Sequence, residues 1–418
     1  MMTGGTMIGS GTPPSRPRYR WMICGLLFVA TGINYVDRQM IGLLKPTLQD
    51  EFGWNEGAYA NIVFWFQAAY AIGYIVFGAA IDRLGARIGY ACAFSLWTVA
   101  HILHAAASSV AGFAGVRFLL GLGESGNFPA GLKAVAEWFP PEERAFATGI
   151  FNAGSNIGAI VTPLVVPILV LAYGWRAAFV ITGLVSFVWL FAWLFAYRLP
   201  HRVVEDMPVA IAAPPLGWRR VIGLRQTWAY AVAKLLTDPV WWLFLFWLPD
   251  FLHRRHGLDL KNFGPPLVAI YVLSDLGSIG GGWLSSRLMR AGFSVERARK
   301  TAMLVCAIAV MPIFAAQYVD NLWGAVAIIG LAAAAHQAWS ANLMTLPSDM
   351  VPQRAMGSLI GIGGAAGAIG GMVMAKFTGW ALETSGSYSL IFAVAGSVYL
   401  VALLLLHLIA PTLRVRDL

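Results

Sequence analysis

Apolar stretches of about twenty residues, parted by short polar segments, recur along the whole chain. A helix needs roughly 20 such residues to cross ~30 Å of hydrocarbon. Six of the stretches fall at 21–44, 59–81, 88–107, 111–139, 145–173 and 177–199. A polar, proline-bearing segment then breaks the pattern, and six more follow at 228–252, 263–288, 301–318, 322–346, 356–382 and 388–410. The pattern predicts an all-α membrane protein with twelve transmembrane helices in two sets of six. The expected division is a tail 1–20, a bundle 21–199, a linker 200–225, a second bundle 226–411 and a tail 412–418.

Composition narrows the class. Apolar residues make up 58% of the chain and charged ones 12%, more apolar surface than a soluble domain of this length can hide from water. The 17 Trp and 13 Tyr suit the two bilayer interfaces. A net charge of +9 is spread in short basic clusters between apolar runs, which fits topology signals better than a nucleic-acid surface. Arg16, Arg18, Arg20, Arg83, Arg87, Arg198, Arg202, Arg219, Arg220, Arg225, Arg287, Arg290, Arg297, Arg299, Lys300, Arg414 and Arg416 all fall on one side if the helices alternate. The other side holds chiefly Arg176, Arg254, Arg255 and Lys261. The positive-inside rule then puts both termini and the linker in the cytoplasm. Cys24, Cys92 and Cys306 lie in apolar runs, so free thiols are expected. The segment before residue 18 is polar and reads as no cleavable signal.

A weak internal repeat relates the halves. Gly78-Ala-Ala-Ile-Asp82-Arg83-Leu-Gly85-Ala-Arg87 stands between the second and third stretches, and Gly282-Trp-Leu-Ser-Ser286-Arg287-Leu at the matching place of the second half. The glycine permits close helix approach, and Asp82 with Arg83 and Arg87 can clamp helix ends across a loop. The first copy resembles the signature loop of the major facilitator superfamily. That resemblance implies two pseudo-symmetric six-helix bundles with alternating access.

Ionisable residues inside a membrane helix are costly and mark function. The first helix carries Asn34-Tyr35-Val36-Asp37-Arg38, and the fourth carries Arg117 and Glu124. Those last two stand almost two turns apart, about 10 Å along one face. Two arginines and two carboxylates can nearly neutralise one another, as a static network tying helices one and four together. The same residues suit anion binding, because a guanidinium grips a carboxylate with two parallel bonds. The N-terminal half is similar to the anion:cation symporter branch of the superfamily. The similarity lies in Asn34 to Arg38, Phe52-Gly53-Trp54, Ala69-Tyr70-Ala71, Glu124-Ser-Gly-Asn-Phe-Pro129, Glu137-Trp138-Phe139-Pro140 and Glu143-Arg144. It implies that Asp37 and Glu124 couple protons and that Tyr35, Arg38, Tyr70 and Arg117 line the substrate site.

A narrower resemblance, to bacterial hexuronate transporters, rests on Gly131-Leu-Lys133, Phe151-Asn152-Ala-Gly-Ser155-Asn156-Ile-Gly158, Asp275-Leu-Gly277, Ala335-His336-Gln337-Ala338, Ser340 and Thr345-Leu-Pro-Ser348-Asp349. It adds Ser155, Asn156, His336, Gln337 and Ser340 as candidate substrate contacts, with Lys234 and Trp242 from helix seven. Lys234 and Asp238, one turn apart, can equally satisfy each other, and Asp275 can partner Lys234 or titrate. His336 is either a packing residue or, with Gln337, Trp339, Ser340 and Asn342, part of a hydroxyl-binding face. The glycine-rich run 357–371 reads as a close-packing element, since no strand precedes it, and Lys376 is expected to snorkel. No nucleotide-binding, metal-ligand or hydrolase motif is visible, so the chain reads as a secondary transporter and not an enzyme. The expected activity is proton-coupled import of a hexuronate such as glucuronate or galacturonate, with an aldonate as the alternative. The proton is the coupling ion, with no other cofactor. The expected partners are the sugar acid, protons and lipid, with no nucleic acid, and the setting is a monomer in the bacterial inner membrane.

Overall fold

The computed structural model describes residues 17–139, 141–198, 218–351 and 353–413. The tail to residue 16, position 199, positions 200–217 of the expected linker and the last five residues lie outside the described residues. The described chain is helical, without strands. In order it forms α1 (Pro17–Phe52), α2 (Glu56–Leu103), α3 (Val110–Glu124), α4 (Asn127–Trp138), α5 (Pro141–Ala196) and α6 (Trp218–Ile222). Then follow α7 (Arg225–His256), α8 (Gly264–Arg290), α9 (Val295–Val310), α10 (Leu322–Leu343), α11 (Leu346–Met350), α12 (Gln353–Ser385) and α13 (Ser389–Ile409).

Two of these helices are pairs. The backbone of α2 breaks at Gly85 (φ 77°) and that of α5 at Gly174 (φ 81°), left-handed conformations that cost only glycine nothing. Each break turns the chain back as a second arm. With α3 and α4 forming one crossing around a turn at Ser125 and Gly126, the first half makes six crossings. In the second half α7, α8, α9 with its 3₁₀ extension Met311–Tyr318, α10 with α11, α12 and α13 make six more. Nine segments of the described residues are long and apolar enough to span a membrane, and one of them, Ala147–Ala196, is long enough for two crossings. The crossings that fall short are α1 and α3–α4, the two that carry the charges singled out above. Large apolar side chains such as Ile75, Ile168, Phe195, Ile279 and Val373 stand outward and exposed, as a lipid-facing surface requires. This is a multi-pass membrane protein.

Several element ends differ from the hydropathy pattern, and three of them bear on the site. The helix expected to stop at 44 runs on to Phe52, the next begins at Glu56 instead of 59, and α7 continues past 252 to His256. At these three ends the apolar run stopped short of Lys45, Glu56 and Arg254. The structure carries those charges inward because they neutralise one another, as described below.

The halves meet through α1 against α7, α2 against α12 and α5 against α8. The end where α1, α7 and α12 finish and α2 begins is here called distal. Among the described residues, the hydrogen bonds and ion pairs that cross between halves lie toward this end. Tyr59 Oη donates to Phe246 O at 2.7 Å, Gly57 N to Glu383 Oε1 at 2.7 Å, and Lys376 Nζ to Asn61 Oδ1. Lys376 therefore reaches across to the other half instead of simply snorkelling. The glycine-rich run packs as expected: a Cβ at Gly370 would stand 2.0 Å from Leu235 O, and one at Gly363 2.2 Å from the Tyr230 ring.

Candidate functional site

The site grows from the middle of α1. Residues four apart share a helix face, so Asn34 and Arg38 point the same way, and Arg38 Nη2 donates to Asn34 Oδ1 at 2.8 Å. The same nitrogen lies 3.1 Å from Tyr70 Oη on α2, and Arg38 Nε donates to Glu124 Oε2 at 2.9 Å on α3. Four rings surround the guanidinium: Tyr35 at 4.8 Å, Tyr70 at 4.9 Å, Trp242 at 5.2 Å and Phe66 at 5.8 Å. Trp242 belongs to α7, so the other half completes this cage. Cation–π contacts strengthen when desolvated, and Arg38 is only 4% exposed. The arrangement leaves a planar cation with aromatic walls and one carboxylate partner, a group able to exchange that partner for a carboxylate ligand.

Arg117 stands deeper. It is wholly buried, lies 4.5 Å from the Phe66 ring, and directs Nη2 to Arg38 O (3.1 Å) and Nη1 to Asp37 O (3.5 Å). Its Nε has no hydrogen-bond partner. Glu124 is thus held by Arg38 and not by Arg117, although Arg117 and Glu124 share a helix. Asp37 is equally buried, and neither of its oxygens makes a hydrogen bond. Its nearest cation candidate is His101 on the second arm of α2, whose Nε2 lies 3.3 Å from Asp37 Oδ1.

On α5, Ser155 Oγ donates to Asn152 O at 2.6 Å and lies 3.3 Å from Asn156 Oδ1. Two glycines bring this face onto α1. A Cβ at Gly158 would fall 2.4 Å from Gly32 O and 2.7 Å from Tyr35 Cβ, and one at Gly154 would fall 2.1 Å from Phe28 O. Backbone cannot yield as a side-chain tip can, so Gly154→Val is expected to cost about 1–3 kcal/mol of overpacking. It should lower the thermal melting point in detergent and weaken substrate binding together; a wild-type melt would show that the crossing is loose.

In the second half, Lys234 Nζ pairs with Asp238 Oδ2 at 2.5 Å, one turn away on α7, and not with Asp275. Lys234 is buried, and Asp238 packs against α12, where a Cβ at Gly367 would stand 2.3 Å from Asp238 Oδ2. His336 Nδ1 lies 2.5 Å from Tyr399 Oη, and its ring stacks on Trp241 at 5.5 Å. Gln337 and Ser340 are half-buried on the same helix. Two residues expected beside them face elsewhere. Trp339 Nε1 donates to Thr237 Oγ1 (3.1 Å), and Asn342 Nδ2 donates to Gly281 O (3.0 Å). Asn342 Oδ1 also lies 3.4 Å from Arg299 Nη1, in a cluster where Arg299 pairs with Asp349 (3.3 Å).

The signature loop turns at Gly85. Arg87 Nη2 donates to Leu194 O at 2.6 Å, and Trp193 Nε1 returns a bond to Arg87 O at 3.1 Å. Arg83 is exposed. The packing of Gly78 and the side chain of Asp82 lie outside what is described.

A second cluster, which the sequence reading did not assemble, closes the distal end. Lys45 is wholly buried between Glu56 Oε2 (2.6 Å) and Asp250 Oδ1 (2.8 Å), under the rings of Trp247 (4.5 Å) and Tyr59 (5.0 Å). Arg254 Nε donates to Asp250 Oδ2 at 2.8 Å, and its Nη2 to Glu56 Oε1. Tyr388 Oη donates to Asp250 Oδ2 (2.6 Å) and Gln49 Nε2 to Glu56 Oε1 (2.9 Å). Two cations and two carboxylates, drawn from both halves, sum to zero. The hydrogen bonds that satisfy them are the condition under which buried charge is tolerated.

Known proteins bear on this geometry. The "Hexuronate transporter" of Escherichia coli (strain K12) is 31% identical over 390 residues, covering 90% of each chain. The "Galacturonate transporter" of Dickeya chrysanthemi is 32% identical over 279 residues, 63% of this chain and 81% of that protein. Among solved structures, a bacterial homolog of the human lysosomal transporter Spinster, in an inward-facing and unoccupied conformation, superimposes with a TM-score of 0.75. It covers 95% of this chain and 96% of its own at 18% identity, a likeness of fold. The profile of the Major Facilitator Superfamily matches residues 27–375. Twelve crossings in two halves, a buried arginine where they meet and relatives named for sugar-acid transport agree with that match, and the chain belongs to the Major Facilitator Superfamily.

Proposed function

We propose that this transporter imports a hexuronate anion together with protons across the bacterial inner membrane, as a monomer with both termini in the cytoplasm. The observation that carries the reading is the Arg38 guanidinium, caged by Tyr35, Tyr70, Phe66 and Trp242 and bound to the single carboxylate of Glu124. A uronate carboxylate would take the position of Glu124 on that fork, with the aromatic walls flanking the sugar ring. Similarity to the hexuronate and galacturonate transporters supports the choice of ligand.

Coupling follows from competition. Ionised, Glu124 occupies Arg38; protonated, it would release the guanidinium to the substrate. Proton and sugar acid would then bind together, which is the requirement for symport. With the basic clusters placed on the cytoplasmic side, the distal end is the periplasmic one. The described state then has its periplasmic end latched by Lys45, Glu56, Asp250 and Arg254.

The test is uptake of labelled glucuronate, galacturonate and galactonate into proteoliposomes, with and without an inward proton gradient, alongside counterflow. The wild type should accumulate the uronates only with the gradient. Glu124→Gln should lose accumulation at least tenfold more than it loses counterflow. Galactonate outcompeting both uronates would assign an aldonate, and normal gradient-driven accumulation by Glu124→Gln would remove Glu124 from the coupling.

A further inference from the structure

Asp37 lies beside Glu124 in sequence logic but not in its partners. Its carboxylate is buried at 1% exposure without a hydrogen bond, while the wholly buried His101 holds Nε2 3.3 Å from Oδ1. The same Nε2 lies 2.7 Å from Thr182 Oγ1 on the second arm of α5. Thr182 Oγ1 donates to Ala178 O at 2.8 Å, so toward His101 the hydroxyl is an acceptor and Nε2 must carry the hydrogen. That N–H therefore has two acceptors within reach. One is the hydroxyl, well placed, and the other is the carboxylate, within 3.3 Å but not aligned.

We propose that His101 is a positioning residue for Asp37, whose Nε2–H turns from Thr182 to the Asp37 carboxylate when that carboxylate is ionised and back when it is protonated. The proposal rests on the proton-coupled reading above and adds to it a second helix that senses the proton. The proton itself comes from water to an Asp37 oxygen; the hydrogen on His101 Nε2 is never given up. The toggle ties the charge on α1 to the second arm of α5, because the bond Thr182 gains or loses joins α2 to α5.

The surroundings contain few other charges. From α1 comes Asp37 itself, and from α3 come Arg117, close enough to act on both groups, and Glu124, which acts on Asp37. His104 stands on the same arm, its ring centroid 6.1 Å away and its Nδ1 turned to Ala100 O. From α5 come Thr182 and the Phe179 ring at 5.0 Å, neither of them charged. A protonated carboxyl at position 37 needs no donor from His101, and an ionised one does. Turned to Asp37, the N–H thus stabilises its ionised state, and it returns to Thr182 when the carboxyl is protonated.

Two substitutions separate this role from packing. In Thr182→Val the hydroxyl is gone and the N–H is left to the carboxylate, so the pH midpoint of uptake should move to lower pH. In His101→Leu the carboxylate loses its donor, and the midpoint should move to higher pH. Each shift should be about half a pH unit or more, a roughly threefold change in proton concentration, the size one hydrogen bond supplies. His101→Gln, which keeps an N–H near the Nε2 position, should restore a midpoint closer to wild type than His101→Leu gives. Initial uptake rates would be measured across pH in proteoliposomes, with melting curves confirming that each variant is folded. Opposite shifts with rescue by Gln support the toggle. Shifts of one sign, or a lowered rate at unchanged midpoint, overturn it. The wild type run with a protonophore serves as the separate control: accumulation that survives it defeats proton coupling itself, whatever the variants do.

Discussion

Lys45→Met is expected to open the distal end. The lysine neutralises Glu56 and Asp250 from within the protein, and its loss leaves two buried carboxylates sharing only the partly exposed Arg254. Breaking a buried pair by deleting one partner costs about 3–5 kcal/mol, and that cost falls on the latched state alone. A shift of this size moves the balance between latched and opened forms by roughly two to four orders of magnitude. The measurement is labelling, relative to the Asn61→Cys variant alone, of a cysteine introduced at Asn61, the partner of Lys376 across the halves, by a membrane-impermeant maleimide. Labelling should rise sharply and uptake should collapse. The compensated variant Lys45→Met with Glu56→Gln leaves Asp250 paired with Arg254, restores neutrality and should recover part of the latched population. Labelling that stays at the background level in Lys45→Met would show that the aromatic and backbone contacts close this end without the ions.

Arg38→Ala carries the second large effect. It deletes the fork shared by Glu124, Asn34 and Tyr70 and empties the aromatic cage. Substrate binding should fall roughly a hundredfold or more, by the same 3–5 kcal/mol scale for an uncompensated buried carboxylate. Arg38→Lys should recover little, since an ammonium cannot bond three partners in one plane or lie flat between rings. Binding of the uronate by calorimetry in detergent checks both. The double variant with Glu124→Gln tests whether the loss belongs to the substrate or to a stranded Glu124. If the double variant still fails to bind, the guanidinium grips the ligand itself. Wild-type affinity in Arg38→Lys would show that charge suffices.

The fold was legible because crossing a membrane leaves so plain a mark. Lipid demands about twenty apolar residues per helix, and among the described residues all crossings but α1 and α3–α4, the two that carry the charges, supply them. Arg38, Glu124 and Tyr70 were legible for a similar reason, as polar groups within apolar runs. The latch was not, and the cause is specific. Lys45, Glu56 and Arg254 stand at the edges of their apolar runs, next to the polar connections, and were set outside the spans. Their pairing spans 198 residues between Glu56 and Arg254, a separation no local pattern reports. One signal was available: Asp250 lies inside an apolar run and needed a cation. His101 lay within its expected span, yet only the packing of α2 against α1 and α5 brings it to Asp37 and Thr182. The fork was assigned to both arginines, and spacing along α3 could not tell that Arg117 turns to the carbonyls of α1 while Arg38 takes Glu124.

The neutral quartet at the distal end also has a thermal consequence. Hydration of charged groups carries a strongly negative entropy, so stripping water from them becomes less unfavourable as temperature rises. The cluster of Lys45, Glu56, Asp250 and Arg254 is dehydrated only while the two halves are drawn together there. Warming should therefore favour the gathered form over the parted one, beyond what apolar contact contributes. A carrier built this way would rest increasingly shut at its distal end as its surroundings heat, with its gate tightening where most interfaces loosen.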